Sequence, residues 1–224
     1  MPIPALCIDP ALAAIWPQTA LGCLFYTVEV TDKNPALWEY LEIGVTPPLL
    51  ATLDSLPLAE MPHLAEARAA YRAFGRDPGK YRVSSEALYR RMRQQKPLYQ
   101  INSLVDANNL VSVETGFSLG SYDLAGTGPE IVFRLGKEGE AYQGIGKGDL
   151  RLEHMPVLAD AAGPFGGPSS DSLRAMISAA TSNALTVIYS FSGAGPLEDA
   201  LALAVERFTT FASVRAVRQS IVKA

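Results

Sequence analysis

The chain has 224 residues, 48% of them hydrophobic and 19% charged, and a net charge of −4. That length and composition support one large domain with a real core, and they exclude a disordered tract, a disulfide scaffold and a general polyanion binder. Cys7 and Cys23 have no CxxC spacing, and His63 and His154 stand far apart, so neither a zinc pattern nor a Ser-His-Asp triad is expected. No metal and no cofactor is called for.

Residues 10–28 carry no charge and have the length of a membrane span. Pro17-Gln18-Thr19 and Gly22 interrupt them, and no Lys or Arg precedes them as in a signal peptide. They read as a short helix, a turn and a buried strand over 20–30, in a protein expected in the cytoplasm. Asn34-Pro35 opens a helix, Asn34 as cap and Pro35 at the first helical position. Pro47-Pro48 is expected to interrupt it, and Pro57 and Pro62 break up the stretch between 49 and 63.

Residues 64–74 read as a helix with Arg68 and Arg72 on one side, ending in a turn over 75–79. Ser84 or Ser85 caps the next helix, whose apolar stripe is Leu88 with Met92 and whose outer face is arginine. A third helix is expected over 98–113, with Gly116 just past its end. The period then changes to two. Strands are expected over 130–136, 149–154, 157–161 and 185–191, with a glycine-rich loop at 163–172. A closing helix over 196–212 has Glu198 and Asp199 in its first turn and a stripe from Leu197 to Phe211. Helices first and strands later predict an α+β fold, a single compact domain over 1–224 with a mixed or antiparallel sheet.

Three groups of residues could carry chemistry. On the helix over 98–113, Asn108 lies near the centre of an apolar face and Asn109 at its edge, with Asn102 on the same side. Such amides either orient a ligand or bond the backbone of the next loop. Asp106, Glu114 and Asp123 add three carboxylates within eighteen residues, at a spacing that fits no metal loop. The second group is the bend GPFGGPSSDSLR, where Ser169, Ser170, Asp171, Ser172 and Arg174 converge beside glycines. It is either a solvated turn or a ligand site, and it fits no dinucleotide or P-loop pattern. The third is the window 68–96, with nine Lys or Arg against Asp77 and Glu86, a local excess of +7. It is either a solvated face or an RNA footprint.

The segment LVDANNLVSVETGFSLGSYD resembles part of the editing domain in the beta subunit of bacterial phenylalanyl-tRNA synthetase. There the pattern is D-x-T-N-Y-V-x-x-E-x-G-x-P-x-H-A-F-D, and Asp106, Asn109, Val111, Glu114, Gly116 and Asp123 match it. IVFRLGKEGE and PVLADAAGPFGG come after it in the family's order. The resemblance covers roughly 65–192. Free-standing proteins of the same fold share the run G-x-P-x-S-D-S-x-R, here Gly166 to Arg174. The synthetase domain hydrolyses tyrosine wrongly attached to the phenylalanine tRNA. Asn108 and Asn109 stand at its Thr-Asn pair, Gly120 at its His and Ser118 at its Pro. The strand that would bring its later Glu corresponds to 175–180, which has no carboxylate.

The resemblance implies a free-standing relative that binds tRNA or an aminoacyl moiety and hydrolyses mischarged tRNA in trans, but cannot aminoacylate. Its pocket would be lined by Asn108, Asn109, Glu114, Ser121, Asp123, Ser170, Asp171, Ser172 and Arg174. Its RNA backbone would lie on Arg68, Arg72, Arg90, Arg91 and Arg93. Two other expectations stand beside it: a protein for an amino-acid-like small molecule without RNA, and a module whose basic helices dock an acidic partner.

Overall fold

The computed structural model describes residues 3–224. In chain order, β1 (Ala5–Ile8), α1 (Pro10–Ile15), β2 (Ala20–Val28), α2 (Pro35–Tyr40), α3 (Thr46–Ser55), α4 (Leu64–Ala73), α5 (Ser84–Arg93) and α6 (Ser103–Thr115) form the first half. The strands β3 (Ser118–Asp123), β4 (Glu130–Leu135), β5 (Ala141–Gly144), β6 (Gly148–Arg151), β7 (Pro156–Asp160), β8 (Gly163–Gly166) and β9 (Asn183–Ser190) come next. Helix α7 (Leu197–Phe211) and strand β10 (Val214–Lys223) close the chain. Among the described residues no helix is long and apolar enough to cross a membrane.

Several elements start where local chemistry dictates. The Asn34 carboxamide accepts from the Ala36 amide at 3.0 Å, with Pro35 behind it, and opens α2. Pro47 and Pro48 do not interrupt the helical path. Leu41–Val45 forms a π turn that runs from α2 into α3, and both prolines fall in the first turn of α3. The wider turn moves the preceding carbonyls off the ring positions where a proline clashes in an α-helix. Neither Ser84 nor Ser85 caps α5 with its own side chain. The cap comes from β3, where Ser118 Oγ accepts from the Ser85 amide at 3.1 Å.

The buried face of α5 is Ser85, Glu86, Tyr89 and Met92 rather than Leu88 with Met92. Helix α6 begins five residues later than the 98–113 reading, because Asn102 accepts from the Val105 amide at 2.9 Å and caps it there. It is buried nearly all round, since α5, α7 and β3 pack against it.

Two four-stranded sheets carry the core. One has the order β1-β4-β7-β8, with β1 parallel to β4 and the rest antiparallel. The other has the order β10-β2-β9-β3 and is antiparallel throughout. Strands β5 and β6 make a separate hairpin. The central strand β2 (ALGCLFYTV) is buried except at Thr27. Gly22 lets α7 approach it closely, since a Cβ there would sit 3.2 Å from Leu201. Further along, Phe208 meets Tyr26 edge-on at 5.7 Å.

Phe133 of β4 packs on Tyr189 of β9 at 5.4 Å, and Phe165 of β8 on Tyr122 of β3 at 5.2 Å, so the two sheets share one core. Residues 175–180 are not a strand; a 3-10 turn at Leu173–Ala175 leads into irregular chain.

Candidate functional site

The asparagine side of the serine-rich bend is filled. Asn108 is buried, with its Oδ1 accepting from Ser121 Oγ at 3.0 Å and its Nδ2 donating to the Leu119 carbonyl at 3.5 Å. Ser121 spends its proton there, so Thr186 donates to Ser121 (2.8 Å) and Tyr26 donates to Thr186 (2.7 Å). This chain of bonds ties α6 to β3, β9 and β2. Asn109 is half-buried and makes no side-chain hydrogen bond among the described residues.

Glu114 reaches away to α7 and α2, where Arg207 Nε donates to it at 2.8 Å and Tyr40 OH at 3.1 Å, respectively. Asp123 caps the next turn, accepting from the Ala125 amide at 2.9 Å and from Thr181 Oγ1 at 2.7 Å. Neither carboxylate faces a cavity.

Tyr122 closes what would be the cleft. A Cβ on Gly120 would land on its hydroxyl, and a Cβ on Gly166 on its ring. The two glycines therefore make room for this tyrosine, and no imidazole fits at 120 without expelling it. Tyr122 is fully buried; it donates to Asp171 Oδ1 at 2.7 Å and accepts from Tyr189 at 2.6 Å. Burial, and then the Asp171 charge, hold the Tyr122 hydroxyl well above its usual range. Burial pushes the Asp171 carboxyl up to about 6, against the hydrogen bonds from Tyr122 and the Gly167 amide.

The bend itself divides its residues. Arg174 is committed to structure. It pairs with Asp160 at 2.9 Å and donates to the carbonyls of Gly126 (3.1 Å) and Gly163 (2.8 Å), stapling three loops. Ser172 is buried, its hydroxyl without a partner among the described residues. Ser169 and Ser170 face the other way, and there a cavity of about 250 Å³ opens. Its floor is Tyr142, Leu150, Leu152 and Met155, and its walls include Lys80, Arg82, Lys147 and Arg151.

Lys147 Nζ donates to Ser170 Oγ at 2.7 Å, and Tyr142 OH to the Ser170 carbonyl at 2.6 Å, so the β5–β6 hairpin is pinned to the bend. None of the four cations is ion-paired among the described residues, and no carboxylate lines the cavity. Lys80 and Arg82 lie in the basic window read from the sequence. Lys147 and Arg151 were not singled out there. Their signal was a lysine between Gly146 and Gly148 at a hairpin tip, and an arginine beside the alternating leucines of β6.

The basic window is less free than its charge count. The Glu86 carboxylate, with only 1% of its side chain exposed, takes Arg68 and Arg90, each at 2.9 Å. Arg91 lies over the Tyr99 ring at 3.8 Å. Arg72 and Arg93 are exposed, and Arg93 edges an open groove with Asp54 and Arg90.

Residues 66–223 match the model of the B3/4 domain family. The chain belongs to that family. Its fold is similar to that of an N-terminal fragment of the phenylalanyl-tRNA synthetase beta-subunit from Pyrococcus horikoshii, with a TM-score of 0.50 over 100% of this chain and 13% identity. At that identity the likeness is one of fold. This B3/4 domain chain spans 56% of the synthetase fragment. No curated protein matches it. The expected α+β architecture of mixed and antiparallel sheets flanked by helices is therefore found, and so is a fold like that of the synthetase beta-subunit fragment.

Proposed function

We propose that this B3/4 domain binds RNA, with tRNA as its partner, and that the cationic cavity at the serine-rich bend receives part of it. The observation that carries the reading is four unpaired cations around one apolar floor. All four side chains are exposed, and gathered with no carboxylate among them they make a positive rim over the apolar floor that can draw an anionic ligand. The exposed Arg72 and Arg93 extend the positive surface that phosphates would cross. The family membership supports tRNA over other RNAs, because the solved relative is a piece of a tRNA synthetase.

The proposed activity is binding. The cavity lining holds no carboxylate or imidazole to activate water, and the asparagine side is occupied by Tyr122. Deacylation of a panel of mischarged tRNAs measures whether turnover accompanies binding. The direct test is tRNA affinity against salt. Phosphate contacts give a log–log slope of about −0.7 to −0.9 per contact.

A second reading, a small ligand without RNA, draws on the modest size and apolar floor of the cavity. It requires tight binding of that ligand and a flat salt dependence for tRNA.

A further inference from the structure

We infer that the cavity takes a nucleoside monophosphate unit of the RNA, and not an amino acid. The inference rests on the proposed RNA binding and specifies what the site holds. The argument is one of charge matching. An aminoacyl group or a free amino acid brings an ammonium, which needs a carboxylate or several free carbonyls once it leaves water. The lining has no carboxylate. The Ser170 carbonyl already accepts from Tyr142 at 2.6 Å. Behind the wall, Asp171 Oδ1 is taken by Tyr122 and the Gly167 amide, and the charge of Asp171 is already faced by Lys147.

An ammonium would instead meet Lys80, Arg82, Lys147 and Arg151, all of its own sign. A phosphate meets the reverse situation. Two guanidinium forks and two ammonium groups are the donors that phosphate oxygens take, and none is ion-paired among the described residues.

The remainder of the ligand is set by the floor. Leu150, Leu152, Met155 and Tyr142 offer an apolar surface suited to the flat face of a base or the carbon side of a ribose. A volume of about 250 Å³ lies below the roughly 300 to 1,000 Å³ of ordinary ligand pockets, so the cavity takes one nucleotide at most, with its phosphate at the open cationic rim, and not a stretch of chain.

The experiment titrates four probes into the full chain by calorimetry: adenosine 5′-monophosphate, adenosine, inorganic phosphate and phenylalanine amide. The Arg82→Ala/Arg151→Ala variant is run in parallel, with its melting temperature as a folding control. The nucleotide is expected to bind at least about tenfold more tightly than adenosine or phosphate alone, and the amide not at all. The double variant should lose about tenfold or more in nucleotide affinity at an unchanged melting temperature.

Amide binding as tight as the nucleotide overturns the inference, as does phosphate binding as tight, or nucleotide affinity that the double variant does not change. If tRNA binds with a steep salt slope and the mononucleotide does not compete, the inference falls while the RNA reading stands. If neither binds, both fall.

Discussion

The two sides of the serine-rich bend treat their polar groups in opposite ways. On the helix side, Asn108, Ser121, Thr186 and Tyr26 close a chain of hydrogen bonds, and Tyr122, Tyr189 and Asp171 close another. On the hairpin side, Lys80, Arg82, Lys147 and Arg151 gather with no carboxylate among them. Polar groups that satisfy each other rigidify a core, and charges left unmatched are available to something from outside. The two sides thus differ in their state of pairing: hydroxyl, amide and carboxyl groups closed on one another, against cations with no carboxylate in hydrogen-bond reach.

The comparison breaks first through stability. Arg174→Ala leaves the Asp160 carboxylate, whose side chain is 1% exposed, without its partner. Loss of about 3 kcal/mol and a melting temperature lower by about 6–12 °C are expected by calorimetry. Gly120→Ala forces Tyr122 out of its seat and should lose about 2 kcal/mol in urea unfolding. In a Tyr122→Leu background the same glycine change should lose less than half as much, because the obstructing ring and hydroxyl are gone.

Asn108→Ala should lose about 1 kcal/mol with tRNA affinity unchanged. Equal loss of affinity would return the amide helix to the binding site.

A pH titration sharpens the contrast. Asp171 has its carboxyl raised to about 6 in the folded chain, so the folded state holds its proton longer than the unfolded chain does. Stability should therefore fall as pH rises from about 4 to about 6, by up to about 3 kcal/mol, and Asp171→Asn should flatten that slope. Tyr122, Tyr142 and Tyr189 stay neutral over this range, since burial raises each of them. The charge facing Asp171 there is Lys147. The smallest stability effect belongs to the cavity. Lys147→Ala should leave unfolding within about 0.5 kcal/mol of the parent and still weaken tRNA binding.

Much of the fold was legible wherever one residue dictates a local event. Asn34-Pro35, the alternation in β4 and the largely apolar run of β9 are of this kind. The strands β1, β3, β5, β8 and β10 were not read. Several are four residues long, and β10 is an edge strand whose residues are mostly exposed, with a bulge between Arg215 and Arg218, so no apolar alternation marks it. Glu86 looked like one acid among arginines, and only the packing of α5 on α3, α6 and β3 shows it to be buried and to claim two of them.

The candidate site was half legible. The serine-rich bend was found, and its facing wall was placed on α6 because the family pattern runs through that helix. Whether an amide is satisfied depends on Leu119 and Ser121 across a turn, and whether a cleft is open depends on Tyr122 filling two glycine gaps. Both are facts of tertiary packing that spacing along the chain does not encode. The wall that remains open is built from residues 80–82 and the β5–β6 hairpin, and two bonds to Ser170 hold the hairpin to the bend.

The salt dependence of tRNA affinity, measured for the parent chain and for Arg82→Ala/Arg151→Ala and Asn109→Ala, tests the central claim most directly. The account predicts a steep negative slope for the parent, a slope shallower by about 2 in the double arginine variant, and no change for Asn109→Ala. A double variant that keeps the parent slope and affinity, or an Asn109→Ala chain that loses as much as the double variant, would contradict it.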